Sequence, residues 1–406
     1  MIKNSYTLLT RIPIYKNFDG LYTDDLWEKD LSAHIGYLSD FRICCPVEPY
    51  NGSIRSLKRI NLLAESQVRK LRTDYGWRSV AANFLPNFLQ VAKATRETEI
   101  VHTSCAGWAF SLAYYILILR PFMTFKWINV VESSFWRKPT LGRVTLRQNI
   151  SHYLNDFLVR CCVRASDARI FTQDWYRAHY LGSHKAALVN TAVWINDSDF
   201  RTDSELMAVH AEQKLTRLIF PARLTPEKGV ETIIAAVEQW DIRYNDILGP
   251  SLQIDIVGEG PLAGRCRNFI KTRQSGGRLQ MKFLEPVPYG PAFFDLIRSY
   301  SAAIILNRQA EQARIVIDVM AQGLACLASD TSGNRAVVVD GDTGVIFPVD
   351  DASTLAQLFD RAAREKEWLQ CMGRNALSAA RGFSHSAMHL ERKKFLQKTL
   401  EITTSD

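Results

Sequence analysis

The sequence predicts an α/β protein built of two doubly wound domains facing a central cleft. Three observations carry that expectation. Short β-rich runs alternate with amphipathic stretches of helical length almost throughout, the pattern of βα units and a parallel sheet. In the second half the strand runs are dominated by Ile, Leu, Val, Ala and Phe, as strands covered on both faces require. A chain of 406 residues is also too long for one ordinary core.

Along the chain, residues 7–14 (TLLTRIPI), 41–47 (FRICCPV), 99–105 (EIVHTSC), 127–133, 168–173 and 186–193 read as strands of a first domain, 1–196. The stretches 24–38, 80–94, 109–119 and 150–165 read as helices between them. Residues 197–213 turn polar and read as a linker. In a second domain, 214–385, strands are expected at 218–223, 252–258, 279–285, 302–307 and 325–330, with helices at 229–240, 261–273, 292–300 and 315–323. Residues 386–406 add a C-terminal helix, for which a crossing back to the first domain is one option. Ligands of doubly wound folds sit at the carboxyl ends of the strands, so a cleft between two such domains suits a donor and an acceptor.

Composition narrows the class. Hydrophobic residues make up 47% and charged residues 23%, which excludes a disordered chain. The eight cysteines form no Cys-x-x-Cys pair, and Cys44–Cys45 and Cys161–Cys162 sit in apolar runs, so free thiols of a reducing compartment are expected. The N-terminus lacks the apolar core of a signal peptide, and the most apolar stretch, Phe110 to Phe125, is broken by Arg120 and Pro121. A cytoplasmic protein is the expectation, with attachment to the inner face of the membrane as one option. A net charge of +8 favours anionic partners such as nucleotide diphosphates or acidic membrane surfaces. No nucleic-acid module occurs.

Four segments carry more specific information: PARLTPEKGVETIIAA (221–236), IVGEGPL (256–262), RIVIDVMAQGLACLASDTSGNRAVV (314–338) and DGDTGVIFPVDDASTLA (340–356). The first presents Arg223 and Lys228 where a strand ends. Gly258 and Gly260 make a tight turn that suits a phosphate contact or a plain strand-to-helix connection. In this order the segments resemble the retaining glycosyltransferases of family 4, which have the GT-B fold of two Rossmann-like domains. The resemblance implies that Arg223 and Lys228 neutralise the diphosphate of a nucleotide-sugar donor. It places the helix start at Arg314 and Ile315 on that diphosphate, Asp318 on the ribose, and Gly333 in a loop over the phosphates. Phe283, Glu285 and Val287 fall where the family cradles the base. No metal and no cofactor are expected, because helix amides and basic side chains take the metal's place.

The family pattern of two glutamates eight positions apart is altered. Asp318 holds the second place, Ala310 the first, and Glu311 stands one position late. Either a shorter loop brings Glu311 to the sugar or that contact is lost. In the first half, Gly20 with Tyr15, Lys16 and Asp24 falls where relatives carry a glycine-rich loop. Glu132 ends a strand where many relatives have a histidine, and suits a base toward an acceptor hydroxyl or an ion pair with Arg137 or Lys138. His102 ends another strand. Basic and aromatic residues interleave at 55–72, 120–127 and 135–139, as an anionic membrane surface would require. The expected function is retaining sugar transfer to a glycan or lipid-linked acceptor, in exopolysaccharide or cell-surface glycan synthesis. A catalytically silent relative that binds a partner or glycan is the alternative.

Overall fold

A computed structural model describes residues 1–50, 57–105, 110–133, 145–182, 187–244, 249–273, 277–310 and 314–400. The chain divides into two compact units, one holding residues up to 192 together with those from Ser386 onward, the other residues 193–385.

Unit 1 is built on one mixed sheet. Its strands are β1 (Ile2–Leu9), β2 (Ile14–Asn17), β3 (Gly20–Asp24), β4 (Leu38–Pro49), β5 (Leu57–Arg59), β6 (Val68–Leu71), β7 (Ile100–Ser104), β8 (Lys126–Val131), β9 (Ala168–Phe171) and β10 (Leu188–Val189). The order is β10-β9-β8-β7-β1-β4-β2-β3-β5, with β6 also on β4. Pairings from β10 through β4 are parallel, while β3 runs antiparallel to β2 and β5. Along β8, Trp127 enters the core under helices Trp77–Arg96, Leu112–Leu119 and Leu146–Ala165, and Ile128 enters the core with Leu31 and Leu396. That alternation is why these strands read as continuously apolar.

Unit 2 is a six-stranded parallel sheet of β11 (Thr216–Pro221), β12 (Leu252–Val257), β13 (Leu279–Leu284), β14 (Ala302–Ile305), β15 (Ala325–Ser329) and β16 (Gly344–Phe347). The order β13-β12-β11-β14-β15-β16 reverses direction between β11 and β14, which makes that junction the topological switch point. Leu218 and Phe220 pack on one face with Trp240 and Phe359, Ile219 on the other with Phe294 and Met320.

Three details depart from the sequence reading. The first strand is Ile2–Leu9, not 7–14, and the chain then turns into the β2–β3 hairpin. Its polar start is held by Glu99, whose carboxylate accepts from the Ser5 N–H at 2.9 Å and the Asn4 amide at 3.1 Å. The stretch 186–193 yields only the two-residue edge strand β10. Residues 197–213, expected as a linker, carry the helix Asp203–Glu212 as part of unit 2. Thr202 and Glu205 cap it reciprocally, at 3.2 and 2.8 Å, and Leu206 is buried in the unit.

Burial explains the thiols. All eight cysteines are free, and among them Cys44, Cys45, Cys105, Cys162, Cys266 and Cys326 are buried. Burial pushes the Cys44 thiol up to about 12, so it behaves as a small hydrophobe.

Candidate functional site

A cavity of about 820 Å³ opens in unit 2 at the carboxyl ends of β11, β12 and β14, around the switch point. Its size falls in the range of small-molecule sites. The segment after β11 supplies Arg223, Thr225, Glu227 and Lys228, that after β12 supplies Gly258 and Glu259, and that after β14 supplies Asn307 and Gln309. Pro286, Val287, Tyr289 and Phe293 add an apolar and aromatic part of the lining, and Arg314 and Ile315 complete it.

The cations are arranged differently from one another. Arg223 is exposed, and its guanidinium makes no hydrogen bond or ion pair among the described residues. Lys228 is half-buried and donates from Nζ to Asn307 Oδ1 at 3.1 Å, which fixes its ammonium against the lining. The Arg314 guanidinium lies over the Trp194 ring, 5.6 Å from its centre. Glu227 also faces the cavity, but its carboxyl is held below its usual range by its own backbone N–H and the Thr225 hydroxyl. The arrangement presents fixed positive charge beside an apolar wall, which suits an anionic ligand carrying a planar group.

The two glycines of the Gly-Glu-Gly turn have a backbone reason to be there. At Gly258, with φ +146°, a methyl group would overlap the Ala222 carbonyl oxygen; at Gly260, also +146°, it would come within 2.6 Å of the Leu224 oxygen. The loops after β11 and β12 are laced by Leu224 N–H to Glu259 O at 2.7 Å and Leu262 N–H to Leu224 O at 2.9 Å. Gly258 lines the cavity and Gly260 does not.

Four other expected residues lie off the lining. Asp318 is 3% exposed and accepts a hydrogen bond from the Tyr289 hydroxyl at 2.9 Å. Burial pushes that hydroxyl far up, and Asp318 beside it adds to the shift, so Tyr289 stays a donor. Tyr289 was not singled out from sequence; its place just beyond β13, beside Val287, was the available signal. Gly333 is buried in the short helix Ser332–Arg335. Phe283 and Glu285 are both engaged by Arg267, the ring at 4.2 Å and the carboxylate at 2.9 Å, leaving only Val287 of that trio on the cavity. Glu311 lies outside the described residues, as do Arg137 and Lys138.

Unit 1 has its own smaller cavity, about 120 Å³, at the ends of β1, β7 and β8. Glu132 lines it, exposed, together with His102, His34, Asp30, Arg11 and Arg392. His102 is buried, with Nδ1 2.7 Å from the Tyr6 hydroxyl, and burial holds its imidazole down at about 3. It is therefore a neutral wall residue. The Gly20 segment is absent from this lining. Gly20 is instead the turn of the β2–β3 hairpin, where its N–H donates to Asn17 Oδ1 at 3.1 Å. In the basic–aromatic stretch 120–127, Arg120 is tied to Asp167 at 2.9 Å, and Phe125 and Trp127 are core; of the aromatics only Phe122 is largely exposed, and Lys126 is exposed as well. Of the other two stretches, residues 55–56 and the whole of 135–139 lie outside the described residues. No helix among the described residues is long and apolar enough to cross a membrane.

Comparison with known proteins agrees with this geometry. Residues 203–378 match the family described as glycosyl transferases group 1. Among curated proteins, the chain is similar to an alpha-D-kanosaminyltransferase of Streptomyces kanamyceticus, 22% identical over 289 residues that cover 68% of this chain and 71% of that one. Among solved structures, it superposes on a sucrose-phosphate synthase from Thermosynechococcus elongatus with a TM-score of 0.69 at 15% identity, covering 98% of this chain and 99% of the other. Anabaena HepE in complex with UDP gives 0.66 at 12% identity, covering 97% and 100%. The fold is GT-B, with two Rossmann-like α/β domains.

Proposed function

We propose that this GT-B glycosyltransferase, with its group 1 domain over residues 203–378, moves a sugar from a nucleotide-diphosphate sugar to a glycan or lipid-linked acceptor, with retention at the anomeric carbon. A silent partner-binding relative is not favoured. The observation that carries the donor half is the pairing of Arg223 and Lys228 with the apolar wall of Val287, Tyr289 and Phe293 on one cavity. Cleaving a sugar–diphosphate bond builds negative charge on the leaving phosphate, and pre-positioned cations stabilise that charge in the transition state. Lys228, already held by Asn307, loses little freedom in doing so. Arg314 adds a third cation, with Ile315 and Gly258 as close backbone neighbours of the phosphates.

The ribose hydroxyls are assigned to the Asp318–Tyr289 pair, the transferred sugar to Glu311, and the closing of the phosphate end to Gly333. Glu132, on the unit 1 cavity, is assigned to the acceptor hydroxyl as a base. No metal is required in this scheme. UDP is the first nucleotide to try, because HepE was crystallised with it. Exopolysaccharide or cell-surface glycan assembly, on the inner face of a membrane, is the proposed setting.

The test is thermal stability against UDP, GDP, ADP, CDP and dTDP, free and sugar-linked. Binding to the folded state raises the melting temperature by mass action. One base is expected to give a shift that Arg223→Ala with Lys228→Ala weakens by roughly 100-fold or more in affinity, since each charge-assisted contact contributes about 1.5–3 kcal/mol. No shift with any nucleotide at millimolar concentration would sink the donor-site assignment.

A further inference from the structure

In unit 1, the C-terminal helix His385–Thr399 carries Arg392 onto the 120 Å³ cavity lined by Glu132. Arg392 is 9% exposed, and its Nε is buried without a hydrogen-bond partner. Among the described residues its guanidinium has no hydrogen bond and no carboxylate in ion-pair contact. Arg11 and Arg201 likewise leave Nε without a partner, but their terminal nitrogens are engaged. Arg11, on the same cavity, is paired with Asp74 and donates to the Phe110 carbonyl; Arg201 donates to the Arg298 and Gln322 carbonyls.

An arginine withdrawn from water without a counter-charge is costly, and a structural role does not recover that cost. Of its nitrogens only Nε is a buried atom without a partner, so the planar fork is open toward the cavity, where an anionic group would satisfy it. The groups around it do not. His102 and His34 are buried neutral imidazoles joined through Tyr6, whose hydroxyl stands 2.7 Å from His102 Nδ1 and 2.9 Å from His34 Nε2. Asp30, also on the lining, is 3.1 Å from His389 Nε2.

We propose that this cavity is an oxyanion site in which Arg392 binds a carboxylate or phosphate monoester. The volume admits one such group and little more. Hydrogen bonds from a guanidinium to a carboxylate or phosphate are bidentate, charge-assisted and roughly twice as strong as neutral ones. Glu132 on the same lining holds the occupant's neighbouring hydroxyl, which identifies the occupant as an acidic acceptor sugar or a phosphorylated one. That last step rests on the acceptor role given to Glu132; the oxyanion site does not.

The test uses the full chain carrying Arg223→Ala and Lys228→Ala, so that the donor cations no longer bind phosphate. Melting is followed against inorganic phosphate and against glucuronate, with ionic strength held constant by chloride. A saturating rise of about 3 °C at tenfold excess over Kd is expected for at least one probe. Response to phosphate alone assigns a phosphate monoester, to glucuronate alone a carboxylate. Adding Arg392→Met should remove the rise and leave the anion-free melting temperature equal or higher, because an uncompensated buried cation is gone. Should that variant fail to fold, Arg392→Lys keeps the charge without the fork, and a weakened rise is expected. An undiminished rise in Arg392→Met, or no rise with either probe at tens of millimolar, overturns the proposal. A chain that ignores every nucleotide yet keeps the Arg392-dependent rise would lose its donor reading alone.

Discussion

Tyr6 ties together two buried imidazoles, and this sets an acid limit on unit 1. Burial holds His102 at about 3 and drives His34 well below its ordinary value of 6.5; Arg392 lowers both further, and Asp30 partly opposes it. His102 also adds to the lowering of His34, as does His389. The unfolded chain binds protons at both positions below about 6.5, whereas the folded chain does not. Their contribution is therefore intact above 6.5 and is lost as the pH falls from 6.5 toward 3. The expected slope is about 1.4 kcal/mol per pH unit for each histidine over the upper part of that window. Urea unfolding between about pH 7 and pH 4 measures it. His34→Asn with His102→Asn should flatten the slope; an unchanged slope would place the acid sensitivity elsewhere. At this scale Arg223 and Lys228 were legible because both follow a strand directly. Asp318 was legible as a carboxylate one turn into a helix, but not as one covered by Tyr289.

The loops after β11 and β12 act as one element, because their backbones hydrogen-bond to each other instead of to solvent. Gly258→Ala has to move the Ala222 carbonyl and adopt a positive φ as well. It is expected to cost about 2 kcal/mol or more by chemical unfolding. Gly264, in the helix Ala263–Thr272, has nothing within 4 Å of an added methyl, so Gly264→Ala should stabilise by about 0.5–1 kcal/mol. Equal effects for the two would contradict the lacing. The Gly-x-Gly pattern announced a tight turn; which carbonyls crowd it depends on β11 and β12 being neighbours. The helix Asp203–Glu212 was missed, although Thr202 and Glu205 stand at capping-box spacing, because its polar surface masked the one buried anchor, Leu206.

At the scale of the whole molecule, a group of exposed apolar residues gathers on one helical layer of unit 1. Leu146, Ile150, Tyr153, Leu154 and Phe157 recur at three- and four-residue spacing on helix Leu146–Ala165, each more than half exposed. Leu85 and Leu89 on Trp77–Arg96 and Ile118 on Leu112–Leu119 extend the face across helices packed side by side. Helix Trp77–Arg96 has no acidic residue and exposes Arg78, Lys93 and Arg96. Helix Leu146–Ala165 exposes Arg147 and Arg164, and its one acid, Asp156, accepts from Arg160 and Tyr180. Apolar side chains rimmed by cations suit an anionic bilayer. Co-sedimentation with phosphatidylglycerol vesicles is expected, and not with phosphatidylcholine alone. Ile150→Glu with Phe157→Glu should weaken it by about tenfold or more. Self-association abolished by the same variant, without vesicle binding, would assign the face to a second copy instead.

The α/β class, the parallel strands covered on both faces and the cations that follow the first strand of unit 2 could all be read from the residues alone. These depend on periodicity and on neighbours a few residues away, which are written locally. Only the tertiary structure decided that Gly260 serves backbone packing, that Tyr289 covers Asp318, and that Arg392 reaches a cavity beside Leu8 and Glu132. Those outcomes depend on sheet order and on which helix covers which face. Residues hundreds of positions apart become neighbours there through burial, and no local pattern encodes that.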